Sequence, residues 1–123
     1  MDLTGVTALV VEDECLVALA VGDTLAEAGA KVVGIAASCE EALLIIEREQ
    51  VSAAVLDVNL GAETSRRVAE RLAAERIPFV FHTSQTVSDR PAWMTAPIVS
   101  KPCSRLELLT AVAAAASRAE LSG

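Results

Sequence analysis

Short runs of Val, Ile, Leu and Ala alternate along the chain with longer stretches in which apolar residues return every three or four positions. The first pattern predicts buried strands and the second predicts helices with one apolar face. A first strand covers Val6 to Val11, and a helix follows over Glu14 to Ala28, where Val17, Val21, Leu25 and Ala28 share a face. Gly29 stops it. A second strand, Lys31 to Ala36, leads into Ser38-Cys39-Glu40-Glu41, a capping-box pattern whose hydroxyl and carboxylate satisfy the orphan amides of a helix start. That helix runs to about Gln50. The third strand, Val51 to Leu56, closes at Asp57. Asn59, Gly61 and Ala62 form a loop, and a helix begins at Glu63 or Thr64 and continues through Glu75. Pro78 turns the chain into a fourth strand, Phe79 to Phe81, which ends in His82-Thr83-Ser84. Between Ser84 and Pro97 the periodicity is poor and Pro91 and Pro97 interrupt it, so no full helix is expected there. The fifth strand, Ile98 to Ser100, closes at Lys101-Pro102. Ser104 to Glu107 repeats the capping box at the start of the last helix. Its core stripe is read as Leu106, Leu109, Val112, Ala113 and Ala116. Leu108, Ala111 and Ala115 are then left as an apolar flank suited to a protein contact.

Strand and helix alternating from end to end describe a βα repeat around a parallel sheet. In open sheets of this kind the ligand site lies just outside the carboxyl ends of the strands. The polar residues that close the strands are therefore aimed at one crevice: Glu12 and Asp13, Asp57, Thr83, and Lys101. Three carboxylates, a hydroxyl and an ammonium group converging in one place suit magnesium-assisted phosphoryl chemistry. Individually each residue has a plainer reading. Glu12-Asp13 would favour the positive start of a helix, Thr83 is an ordinary strand residue, and Lys101 alone would be a solvated charge. Their joint placement at four successive strand ends outweighs those readings.

These positions resemble the receiver domains of two-component response regulators. The likeness rests on the acidic pair Glu12 and Asp13, on the aspartate of Val-Leu-Asp57-Val-Asn59-Leu60-Gly61, on Thr83, and on Lys101 followed by Pro102, and it covers nearly the whole chain. It implies a flavodoxin-like, doubly wound, five-stranded parallel sheet of order 2-1-3-4-5, with about five helices and a short or irregular fourth one. It also implies Asp57 as phosphoacceptor, Thr83 and Lys101 as its partners in catalysis, and a Mg2+ ion held by Asp13, Asp57 and the backbone carbonyl of Asn59, with Glu12 binding directly or through water. The Lys101-Pro102 bond resembles the cis peptide common at this place in receivers. Many receivers carry an aromatic residue three positions before the lysine, where this chain has Ile98. The missing aromatic, the loop Asn59-Leu60-Gly61 without proline and the run Pro78-Phe79-Val80-Phe81-His82-Thr83 are similar to a Phe-x-Phe-x-Thr subgroup that includes many single-domain regulators. With no aromatic at Ile98, the response to phosphate is expected in the segment from Ser84 to Pro97. Ser84, Gln85 and Asn59 are expected to flank the phosphorylation pocket.

Composition narrows the functions further. At 123 residues the expectation is a single receiver domain over residues 1–123 without an output domain. A net charge of -7 argues against direct nucleic-acid binding or attraction to anionic membranes, and only two Phe, one Trp and no Tyr leave few platforms for stacking bases. No stretch is long enough for a membrane span and the start lacks a signal-peptide pattern, so a cytoplasmic location is expected. Cys15, Cys39 and Cys103 are widely spaced and odd in number, and are read as buried or half-buried free thiols. The expected partners are a sensor histidine kinase or histidine phosphotransfer protein and a downstream protein, with a homodimer as a further option. A phosphate sink or shuttle within a relay is the alternative role. A flavodoxin-like electron carrier is the alternative of another class, disfavoured because Glu12-Asp13-Glu14 has the wrong charge for a flavin phosphate. A dehalogenase-like phosphatase would need an acid where Asn59 stands, and a hydrolase using His82 and Ser84 lacks the Gly-x-Ser-x-Gly elbow.

Overall fold

The computed structural model describes residues 2–84 and 90–122, with side chains described as far as residue 118. The chain runs β1 (Thr7–Val11), α1 (Cys15–Glu27), β2 (Lys31–Ala36), α2 (Cys39–Arg48), β3 (Ala53–Leu56), β4 (Asn59–Leu60), β5 (Glu63–Thr64), α3 (Arg66–Ala74), β6 (Phe79–Thr83), β7 (Ile98–Ser100) and α4 (Arg105–Ser122). Five strands form one parallel sheet in the order β2-β1-β3-β6-β7, which is the doubly wound 2-1-3-4-5 arrangement once the short β4–β5 hairpin is set aside.

The apolar runs are continuous because both sheet faces are covered, and successive residues serve opposite layers. Leu9, Val11, Ala54, Leu56, Phe79 and Phe81 pack with α2 and α3 through Cys39, Ala42, Ile46, Val68 and Leu72. Ala8, Val10, Val55 and Val80 face the other way and pack with α1 and α4 through Ala18, Val21, Leu25, Leu108 and Val112. The helix ends follow the local chemistry that predicts them. The Ser38 hydroxyl accepts from the Glu41 amide at 3.2 Å. In the second box, the Glu107 amide donates to Ser104 Oγ at 3.1 Å and the Ser104 amide donates to the Glu107 carboxylate at 3.3 Å. Gly29 ends the first βα unit with φ of 104°, a region that only glycine enters without strain.

Three expectations are corrected. The residues read as the start of the third helix, Glu63 and Thr64, instead pair with Asn59 and Leu60 as a hairpin, and α3 begins at Arg66. The Glu63 carboxylate accepts from the Cys39 amide at 3.2 Å, capping α2 from outside that helix. The last helix is rotated relative to its predicted stripe: Leu108, Val112 and Ala115 are buried, while Leu106 is 65% exposed. An Ala-rich helix with apolar residues on nearly every side carries little phase information, and its packing against β3, β6, β7 and α1 sets the rotation. Leu108 is therefore core, not flank. Cys15 is exposed, whereas Cys39 is buried and Cys103 half-buried. Four helices occur among the described residues. The stretch expected to hold a short or irregular fourth one includes residues 85–89, outside the described residues, and turns without helix from Arg90 to Pro97.

Candidate functional site

The parallel sheet delivers the polar strand ends to one edge. Glu12 follows β1, its amide bonded to the Ala36 carbonyl at 2.9 Å, and Asp57 follows β3, its amide bonded to the Val11 carbonyl at 2.9 Å. These ladder bonds fix where the two carboxylates emerge. Both are buried, Glu12 at 4% and Asp57 at 9% exposure, while Asp13 is exposed. Carboxylate oxygens of Glu12, Asp13 and Asp57 lie within 4.8 Å of one another. Asn59 opens the hairpin beside them, half-buried. Its turn passes Gly61, where a Cβ would sit 3.8 Å from Asp13 Oδ2.

Thr83 closes β6 and is buried. Its carbonyl accepts the Lys101 amide at 2.8 Å, which sets the start of the turn after β7. The Lys101-Pro102 bond is cis. From there the Lys101 ammonium reaches Glu12 Oε1 at 2.5 Å and Asp57 Oδ2 at 3.0 Å. One cation thus spans two buried acids.

The electrostatics follow from this arrangement. Burial pushes the Glu12 carboxyl above its ordinary pKa, against the pull of Lys101 and the Glu14 amide, and Asp57 adds to the rise. Burial pulls the Lys101 ammonium down, but its bonds to Glu12 and Asp57 outweigh that and leave its pKa raised. The lysine is therefore firmly charged. The donor set fits a hard divalent cation: oxygen ligands only, with more negative charge than one ammonium neutralises. Asp13, on the open side of the cluster, leaves room for water ligands.

Sequence reasoning missed two contacts. His82 Nε2 lies 3.5 Å from Cys103 Sγ. Burial and the Lys101 charge hold the imidazole below its usual pKa, with Asp57 opposing, so the ring is neutral at pH 7. Burial, then Glu107, pushes the Cys103 thiol up. A strand-end histidine and a cysteine in a turn give no signal of being paired, because their contact depends on the β6–β7 register. The second is Trp93, whose ring meets Phe81 edge-on at 5.8 Å between centroids. Ile98 lies opposite Phe81 in the ladder and packs in the same cluster. Ser84 is exposed at the edge of the site, and Gln85 lies outside the described residues.

A doubly wound parallel sheet with an acidic cluster and a lysine at its carboxyl edge defines a flavodoxin-like α/β domain of the signalling type. The chain belongs to the response regulator receiver domain family, whose profile matches residues 8–113. SdrG from Sphingomonas melonis Fr1 is 37% identical, with a TM-score of 0.78 over 93% of this chain and 98% of that one. PhyR from Brucella abortus is 28% identical, with a TM-score of 0.83 over 97% of this chain and 51% of that one. The signal receiver domain of a modulated diguanylate cyclase from Desulfovibrio desulfuricans G20 is 26% identical, with a TM-score of 0.85 over 95% and 98% of the two chains. A comparison with curated protein sequences returned no match. Among the described residues no helix is long and apolar enough to cross a membrane.

Proposed function

We propose that this chain accepts a phosphoryl group on Asp57 from a phosphohistidine of a sensor kinase or phosphotransfer protein, and signals through the protein contacts that follow. The observation that carries this reading is the Lys101 ammonium, 3.0 Å from Asp57 Oδ2 and 2.5 Å from Glu12 Oε1 at the edge where Asp13 also emerges. An Asp57 oxygen attacks phosphorus, the P–N bond to the imidazole breaks, and the imidazole leaves with its electron pair and takes up a proton. The product is an acyl phosphate. Lys101 moves from carboxylate to phosphoryl oxygen as charge arrives there, and the Thr83 hydroxyl donates to a second oxygen. Asp13, Asp57, the Asn59 carbonyl and Glu12 would hold magnesium, which when bound offsets the charge on the transferring oxygens.

The donor must reach Asp57 from the open crevice. A cavity of about 550 Å³ beside it is lined by Leu16, Val17, Lys101, Cys103 and Leu108, and Leu16 is 82% exposed. The apolar contact surface expected on the flank of the last helix is thereby moved to Leu16 on α1 and Leu106 at the start of α4. Trp93 against Phe81, with Ile98 alongside, supports a response that passes through the segment after β6 in place of a ring on β7. Incubation with magnesium and a small-molecule phosphodonor, followed by intact mass measurement, tests the chemistry. One labile phosphoryl increment on the parent chain supports it. Persistent labelling of Asp57→Asn at another site would sink it.

A further inference from the structure

The cavity beside the acidic edge carries a second pair of reactive groups on its inner wall. Alternation along β6 turns Val80 and His82 toward α1 and α4, away from the layer that holds Phe81. Cys103, between β7 and α4, packs against the same layer as Val80, and its Sγ lies 3.5 Å from His82 Nε2. The imidazole is 7% exposed and the thiol is half-buried, yet both line the cavity of about 550 Å³. A thiol within hydrogen-bond reach of an imidazole, both open to one ligand-sized space, is the arrangement of a nucleophile with its base. The phosphoryl chemistry uses neither group.

What the cavity can hold follows from its walls. Val17, Val21 and Leu108 are apolar and suit an alkyl chain. Lys101 lines the same space and, with two of its three N–H groups on Glu12 and Asp57, has a third to offer a carbonyl oxygen. Burial, then Glu107, pushes the Cys103 thiol up, so a preformed thiolate does not drive its reactions. The sulfur must lose its proton as it attacks, and the neutral His82 ring beside it can accept one.

We infer that Cys103 is a modification site for apolar α,β-unsaturated carbonyl compounds, enones with a medium-length alkyl chain, and that His82 is its base. Sγ bonds to the β-carbon of the enone while the thiol proton passes to His82 Nε2, in the tautomer whose proton sits on Nδ1. The π electrons of the C=C bond shift through the conjugated system to the carbonyl oxygen, and the enolate then takes the proton back at its α-carbon. No oxidant is consumed and no group leaves, so the chain gains the mass of one enone. Cys15, exposed at the start of α1, does not line the cavity and serves as the internal reference.

Peptide mapping by mass spectrometry after timed exposure to (E)-non-3-en-2-one tests this at pH 7, with iodoacetamide as a small polar comparator. The enone should modify Cys103 at least about tenfold faster than Cys15, whereas iodoacetamide should favour the exposed Cys15. His82→Gln removes the base and should slow the enone at Cys103 about tenfold without changing its rate at Cys15. Ala20→Leu, on the cavity wall, should also slow the enone at Cys103 alone, because it fills space the alkyl chain needs. The proposal is overturned if the enone modifies Cys15 as fast as Cys103, if iodoacetamide shows the same preference for Cys103, or if either variant reacts at Cys103 like the parent.

Discussion

The two ends of the sheet are built from the same strands and carry opposite chemistry. At the carboxyl end, Glu12, Asp57 and Thr83 are buried and Lys101 bridges the two acids, so charge is concentrated and internally opposed. At the amino end, Arg76, Arg90 and Arg118 line a cavity together with Ile77, Phe79 and Pro97. The interior of each strand cannot account for this difference, since Leu9, Val55 and Val80 serve only the core. The difference lies outside the strands: in the one or two residues at which β1, β3, β6 and β7 stop at one end, and in the residue after α3, the segment before β7 and the later part of α4 at the other. A sheet of this kind fixes the positions of its strand ends with backbone hydrogen bonds, and a change of residue there alters chemistry without altering the fold.

The largest effect that would break the comparison comes from removing the acceptor. Asp57→Asn should abolish the acyl phosphate seen by intact mass while leaving the fold and the amino-end cavity as they are. Lys101→Met should be next. It leaves Glu12 and Asp57 buried and facing one another, a situation that costs about 3 kcal/mol when a buried pair loses a partner. Denaturant unfolding without divalent cations should show that loss. Magnesium should restore part of it, because a bound cation replaces the missing ammonium. If magnesium stabilised the parent and the variant equally, the lysine and the metal would not share the same carboxylates.

A smaller effect separates core from surface on α4. Leu108→Ala should destabilise by about 2–3 kcal/mol, and Leu106→Ala by under about 0.5 kcal/mol, because only the first leaves a cavity. The reverse order in urea midpoints would restore the stripe read from sequence, with Leu106 inside.

That helix marks the limit of what the sequence reveals. The five strands, the two capping boxes and the end of α1 at Gly29 are legible because each depends on neighbours in the chain: an apolar run, a hydroxyl three residues before a carboxylate, a glycine that can take positive φ. The gathering of Glu12, Asp13, Asp57 and Lys101 is legible too, since topology alone carries strand ends to one edge. The rotation of α4, the β4–β5 hairpin, the Cys103–His82 contact and the Trp93–Phe81 pair were not. Each is decided by register or packing between segments far apart in sequence. The arginine cavity is of the same kind. Arg76, Arg90 and Arg118 are spread over three segments, and only the folded chain brings them to one wall.

The smallest predicted effect concerns His82, which ties the acidic end to the interior. It is buried beside Lys101 and Asp57 and touches Cys103, and burial, then the lysine, holds its pKa below the ordinary 6.5. The unfolded chain therefore binds more protons than the folded one between the depressed pKa and 6.5, so folding stability must rise with pH across that window. The contribution is complete above 6.5 and is lost as pH falls through the folded-state pKa. Glu12 works in the other direction: its raised pKa means that protonation at lower pH favours the folded chain, from its folded value down toward 4.5. The two slopes oppose one another in the parent protein, and only a difference measurement separates them. Comparing His82→Gln with the parent in urea at pH 7.5 and pH 5.5 should show the variant gaining stability relative to the parent at the lower pH. If the two proteins lost stability in parallel, the imidazole would be titrating as freely in the folded chain as in the unfolded one, and the neutral ring beside Lys101 would have to be abandoned.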